Sequence, residues 1–314
     1  MTSTIDGFTD LAHRRRGRAL LLATLLVLAG CASPTPQVSE ATTRASAQSQ
    51  EAVLAGAEAD IAARRFQLAS QRLARLDKAT AETPRAHYVM AEVLLGLGRP
   101  HEAMAQFDVI QSDPAYQALA LQGLGLALLA VGDTAQATGQ LESAVAADPK
   151  LWRAWTGLGR AHDEQKRWSE AATAYESALA ASPGSAVILN NMGMSLLLQH
   201  RYAEAAGAFE QAIGQDSTLE TARSNLRIAL AWEGRYDEAL AGLQSSERAD
   251  ALNNVGYVAM LRGQRQDAQR FFTQAMEASP TYHYGAAQNL ETLKLLAKSQ
   301  AGAGLQQTAD TPTP

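Results

Sequence analysis

The sequence predicts an all-α protein, a solenoid of about seven stacked helix-turn-helix units closed at its C-terminal end by a capping helix. Three observations predict it. Most of the chain repeats itself with a period of 34 residues. Its composition is that of helix formers, rich in Ala, Leu, Gln and Glu, with only 6% aromatic residues and few β-branched side chains. Proline and glycine recur between the periodic segments, where proline ends a helix and glycine makes a tight turn.

The chain opens with a different element. His13, Arg14, Arg15, Arg16 and Arg18 precede an eleven-residue apolar run, Ala19 to Ala29. A span across the bilayer needs about 20 apolar residues, so a basic head before so short a run reads as a secretory signal. Arg15-Arg16 lacks the flanking residues of a twin-arginine signal. The ending Leu28-Ala29-Gly30-Cys31 resembles the lipobox of bacterial lipoproteins. That resemblance implies a signal peptide over 1–30, cleavage before Cys31, acylation of its thiol and amine, and, with Ala32 rather than Asp following, an outer-membrane address with the body facing the periplasm. Acyl chains contribute about 0.8 kcal/mol per buried methylene, and two suffice for stable anchoring. The plainer alternative is a free cysteine after a generic signal. Residues 31–49, rich in Ser, Thr, Ala, Gln and Pro, read as the lipidated cysteine and a flexible tether.

Composition excludes several function classes. The full chain carries a net charge of −5; without residues 1–30, 23 basic and 30 acidic side chains remain, a net charge of −7. An acidic body lacks the clustered Lys and Arg that displace counterions from nucleic acid. With the only cysteine acylated, no disulfide or cysteine metal site remains, so packing alone must stabilise the body.

The array is justified unit by unit over 50–282. Its clearest copy, 152–185, carries Trp155, Leu158-Gly159, His162, Ala171, Tyr175, Ala178 and Pro183. The unit before it, 118–151, holds Leu121, Leu124-Gly125, Leu128, Ala137, Leu141, Ala144 and Pro149 at the same places. The unit after it, 186–219, holds Leu189, Met192-Gly193, Leu196, Ala205, Phe209, Ala212 and Ser217. A further unit, 249–282, shows Leu252, Val255-Gly256, Ala259, Ala268, Phe272, Ala275 and Pro280. Small residues let antiparallel helices approach, and large ones fill the holes beside them. Weaker copies occupy 84–117, with Leu94, Gly98, Ala103 and Phe107, and 50–83, with Asp60, Phe66, Ala69 and Leu73. Unit 220–248 is short, which predicts an abbreviated second helix and a change of pitch. Residues 283–299 form the capping helix, with Leu290, Leu293, Leu296 and Ala297 on one stripe and Gln288, Glu291, Lys294 and Lys298 opposite. Residues 300–314 read as a disordered tail.

This period and pattern resemble the tetratricopeptide repeat. The resemblance implies a right-handed superhelix whose first helices line an inner groove that accepts protein segments. Its spacing projects Arg153, Arg160, Asn190, Met194, Asn225, Ile228, Trp232, Asn253 and Tyr257 inward, where Asn amides can pair with a peptide backbone and Trp, Tyr and Arg act as anchors. The competing role for the Asn residues, with Asn191 and Asn254 beside them, is helix packing. The basic clamp that some relatives use for a C-terminal carboxylate is not reproduced.

Chemistry is otherwise sparse. No His pair has metal-ligand spacing, and His162 occupies a packing place. Gly123-Leu124-Gly125 and Gly157-Leu158-Gly159 lie inside helices without the rest of a nucleotide loop. Ser195 lacks the second glycine of a nucleophile elbow. No catalytic residue, metal, cofactor or small-molecule substrate is expected; the chain reads as a scaffold and not an enzyme. The segment Ala249 to Leu296, with Leu252-Asn253-Asn254-Val255-Gly256-Tyr257 and Gln288-Asn289-Leu290, is similar to the C-terminal part of TadD-like lipoproteins of Tad (Flp) pilus assembly. Arg223-x-Asn225-Leu226 and Gly234-Arg235-Tyr236 add to the likeness. It implies secretin or other pilus components as partners. A type IV pilotin-like secretin chaperone and an adaptor for peptidoglycan hydrolases are the alternatives.

Overall fold

Turn chemistry sets the register of the whole array. The computed structural model describes residues 40–279, 281 and 283–309, and every regular element among them is an α-helix. Arg64, Gly98, Gly132, Lys166, His200 and Gly234 all take positive φ, between 57° and 85°, and each lies 34 residues from the next. Left-handed backbone is free for glycine and costs other residues roughly 1–2 kcal/mol, so packing on both sides holds Arg64, Lys166 and His200 there. Gly263, in the last repeat, has φ 76°.

These turns join helices into pairs. Helices α1 (Glu40–Ala62) and α2 (Phe66–Leu73) form the first and are followed by the single turn α3 (Lys78–Ala81). Next come α4 (Pro84–Gly96) with α5 (Pro100–Ile110), α6 (Gln117–Val131) with α7 (Thr134–Ala147), and α8 (Trp152–Glu164) with α9 (Trp168–Ala181). Then α10 (Ala186–Leu198) pairs with α11 (Tyr202–Gln215), α12 (Glu220–Glu233) with α13 (Tyr236–Ala239), and α14 (Ser245–Leu261) with α15 (Arg265–Ala278). Helix α16 (Tyr284–Ala309) packs on α15 and α14. Side chains start several helices. Asp77 accepts from the Thr80 amide at 2.8 Å, Thr83 from Ala86 with Pro84 in the first turn, and Asp133 from Gln136, each satisfying an otherwise orphaned N–H.

The core is a file of clusters along the array. Leu54, Ala57, Leu73 and Val89 start it; Phe107, Ile110 and Leu124 follow. Leu141 and Leu158, then Tyr175 and Ile188, continue to a larger cluster around Phe209, Leu252 and Phe272. Close approach depends on missing side chains: a Cβ at Gly159 would lie 2.6 Å from the Tyr175 ring, and one at Gly193 2.5 Å from Phe209.

The chain forms two units, Met1–Ser46 and Ala47–Pro314. Of the first, only the opening of α1 is described; the proposed signal peptide and Cys31 lie outside the described residues. Three boundaries differ from expectation. Helix α1 begins at Glu40, inside the stretch expected as a tether, because Glu, Ala and Gln extend a helix nucleated further on. Helix α16 likewise runs to Ala309, through much of the expected disordered tail, where Ala, Leu and Gln again favour propagation. Its dry stripe is shorter than expected: Leu293 is buried and Leu290 partly so, but Leu296 is 46% exposed. Helix α14 starts at Ser245 rather than 249; Glu247 in its first turn suits the helix dipole and reaches Arg227 of α12 at 3.5 Å. Helix α13 is a single turn, so α12 packs directly against α14.

Candidate interaction surface

The first helices of successive units line an inner surface. On α8 the side chains Trp152, Arg153, Thr156 and Arg160 recur at helical spacing and face one cavity of about 710 Å³. Its other walls are the end of α1, the turn at Arg64, Phe66 of α2, Glu92 and Leu95 of α4, Leu126 of α6, and Val187 and Asn191 of α10. Apolar walls with a few charged groups are the ordinary chemistry of a binding cavity.

Charge in this cavity is unevenly matched. Arg153 Nη1 donates to Glu92 Oε2 at 2.8 Å, linking α8 to α4 past the intervening α6. Glu92 is only 7% exposed, and its other oxygen, Oε1, is buried without a hydrogen-bond partner. Arg64 and Arg160 are exposed, and neither forms an ion pair among the described residues. Two guanidinium groups therefore stand uncompensated on one face of an acidic protein.

The structure sorts the sequence-derived candidates. Arg153 and Arg160 share the large cavity. Met194, 38% exposed, lines a second cavity of about 470 Å³ with Asn190, Asn225, Val187 and again Arg64. Ile228 lines a third, of about 230 Å³, with Arg227, Glu247, Asp250 and Asn254. The asparagines engage each other: Asn225 Nδ2 donates to Asn190 Oδ1 at 2.9 Å, and Asn289 Nδ2 to Asn253 Oδ1 at 3.0 Å. They tie neighbouring first helices together. Trp232 corrects the expectation of a groove anchor. It stacks on Tyr202 with ring centroids 5.2 Å apart and planes 5° from parallel, and packs on the core around Phe209. Tyr257 is 45% exposed and lines none of these three cavities. Cys31 lies outside the described residues.

Three contributors escaped the sequence argument. Arg64 could have been found from the 34-residue register of its turn. Glu92 stands between Ala91 and Val93, where the register places buried residues, and a lone carboxylate there was a usable signal. Val187, 44% exposed, carried none.

Polar groups behind this surface are structural. Asp163, 7% exposed, accepts from Tyr175 Oη at 2.8 Å and Ser195 Oγ at 2.6 Å. Burial pushes its carboxyl above the usual range despite both hydrogen bonds, and burial also raises the Tyr175 phenol. Ser195 thus belongs to a packing network. His162 is 9% exposed, and burial lowers its pKa, favouring the neutral ring. Asp60, 1% exposed, is held by Arg65 and Arg72, whose hydrogen bonds keep its pKa low. Among the described residues no group of three His, Cys, Asp or Glu could hold a metal ion, and no helix is long and apolar enough to cross a membrane.

Stacked helix pairs, a periodic core and an inner surface built by first helices define an all-α tetratricopeptide-repeat superhelix. Residues 123–186 and 190–254 match the family model described as tetratricopeptide repeat. Among solved structures, the chain resembles one from the APC/C hetero-tetramer Cut9–Hcn1, with a TM-score of 0.54 and 18% identity over 73% of this chain. It spans 45% of that longer chain. It is also similar to YrrB, described as a TPR protein with an unusual peptide-binding site (TM-score 0.43, 22% identity, covering 58% of this chain and 96% of that one). PilW, described as a widely conserved type IV pilus biogenesis factor, aligns with a TM-score of 0.45 and 26% identity, covering 63% of this chain and 94% of that one. No curated protein matches the sequence significantly. The fold is generally a non-catalytic scaffold that binds peptides or proteins.

Proposed function

We propose that this chain is an outer-membrane-anchored periplasmic scaffold that holds protein partners on its inner surface during assembly of a Tad (Flp) pilus and its secretin. The observation that carries the holding role is the cavity spanning α1 to α10, with apolar walls and uncompensated arginines. Anchoring rests on Leu28-Ala29-Gly30-Cys31 behind a short apolar run. The pilus assignment rests on the likeness of Ala249 to Leu296 to TadD-like lipoproteins. In that segment Leu252, Val255 and Gly256 build the core, while Asn253 tethers α14 to α16.

Deletion of the gene tests the assignment. Pili should be lost and secretin multimers should fail to form, while a Cys31→Ser variant should lose its acyl label and its outer-membrane fractionation. Pili that persist, with peptidoglycan hydrolases recovered as partners, would replace the pilus role with a cell-wall one.

A further inference from the structure

We infer that the large cavity takes an extended peptide segment bearing acidic side chains, which Arg160 and Arg64 pair. This rests on the reading of the chain as a protein-binding scaffold and names the chemistry of what it holds.

Two observations converge on this occupant. The first is charge. Many arginines of this acidic chain are neutralised close by: Arg99 by Glu102, Arg201 by Glu204, Arg235 by Glu233 and Glu238, Arg85 by Glu51 and Glu58. Arg64 and Arg160 come from opposite ends of the lining, a turn after α1 and the end of α8, and meet on one cavity with no carboxylate of their own. A chain of net charge −5 repels acidic chains in general, so a local reversal of sign selects where one can dock. Guanidinium groups suit carboxylates because their N–H donors are arranged in a planar fork.

The second is size and lining. A cavity of about 710 Å³ admits a few residues of chain and excludes a folded domain. Phe66, Trp152, Leu126 and Val187 offer apolar contacts for side chains that alternate with the acidic ones.

The test uses the purified full chain in detergent and a fluorescein-labelled, C-terminally amidated peptide, Ser-Leu-Asp-Leu-Glu-Leu-Asp-Ser. Anisotropy should show saturable binding that weakens as salt rises. The counterpart with Asn and Gln in place of Asp and Glu should bind at least about tenfold more weakly, and a lysine counterpart not at all. Arg160→Gln and Arg64→Gln should each weaken the acidic peptide about tenfold without moving the thermal melt, since both side chains are exposed and Gln at 64 carries the same left-handed backbone cost as Arg. Equal binding of acidic and neutral peptides, or unchanged affinity in both variants, overturns the proposal. So does equal binding of a neutral peptide with a free C-terminal carboxylate, which would assign the arginines to chain ends. If no peptide binds but protein partners still cross-link to the inner surface, the acidic-segment proposal fails and the scaffold reading stands. If nothing cross-links there, the scaffold reading fails as well.

Discussion

Asp163 offers a quantitative test of how the units are joined. It lies on α8 and accepts hydrogen bonds from Tyr175 on α9 and Ser195 on α10, so one carboxylate ties three consecutive helices. Asp163→Ala leaves two buried hydroxyls without an acceptor. Each orphaned group costs about 1–3 kcal/mol, or about 2–6 kcal/mol for the pair. Part is offset because the ionised carboxylate is itself penalised by burial, leaving an expected loss of about 2–4 kcal/mol. Asp163→Asn keeps an acceptor, adds a donor, and should cost about 1 kcal/mol or less. The sign with pH follows from the raised pKa. The folded state holds this proton more firmly than the unfolded state, so Asp163 favours folding more as pH falls through its raised pKa and less above it. Asp163→Asn should remove that contribution. Urea unfolding followed by circular dichroism gives the energies, and hydrogen exchange on α9 and α10 localises them, since repeat arrays can open locally. A stability of Asp163→Ala within about 0.5 kcal/mol of the parent, the scale of ordinary surface substitutions, would refute the network's role.

Further expectations follow from packing and turns. Gly123→Ala would set a Cβ 2.1 Å from the Phe107 ring and should destabilise by about 1–2 kcal/mol despite the gain in helix propensity, whereas Gly139→Ala, facing open space in α7, should stabilise by about 0.5–1 kcal/mol in thermal melts. Lys166→Gly should stabilise by roughly 1 kcal/mol in the same assay, because it relieves a left-handed backbone at φ 57°. Trp232→Ala removes the stack on Tyr202 and a half-buried ring from the core, so urea unfolding should show a loss of about 2–3 kcal/mol; Tyr257→Ala should leave stability within about 0.5 kcal/mol. Asp60 has a lowered pKa, so its contribution is present above its unfolded value of 3.8 and is lost as pH falls through the lower folded value. Hydrogen exchange in α1 and α2 should quicken on acidification through that window and be insensitive to it in Asp60→Asn.

Most of the fold was legible because a repeat array is nearly one-dimensional. The helix that carries Leu158 and Gly159 packs on the one that carries Tyr175 sixteen residues later, and the same offset recurs in Gly193–Phe209 and Gly256–Phe272. Local period therefore specifies local contact. What escaped depends on distance or on competition between similar choices. Glu92 and Arg153 are 61 residues apart, and only the coil of the superhelix brings α4 and α8 together. Arg64, Lys166 and His200 hold a turn that residue type argues against, because their neighbours fix it. Trp232 satisfies the spacing of a groove residue, yet Tyr202 of α11 stacks on it and holds it against the core. Helical ends at Glu40 and Ala309 follow from helix formers that composition alone could assign equally to coil.

The central claim, that partners are held on the inner surface of this array, is tested most directly by site-specific photo-crosslinking in cells. A photoreactive residue at Met194, 38% exposed in the cavity beside Asn190, should yield discrete adducts with a protein partner that diminish in Arg160→Gln. The same residue at Glu210, exposed on the second helix α11, should yield none. Equal adducts at both positions, or adducts at Glu210 alone, would contradict the account.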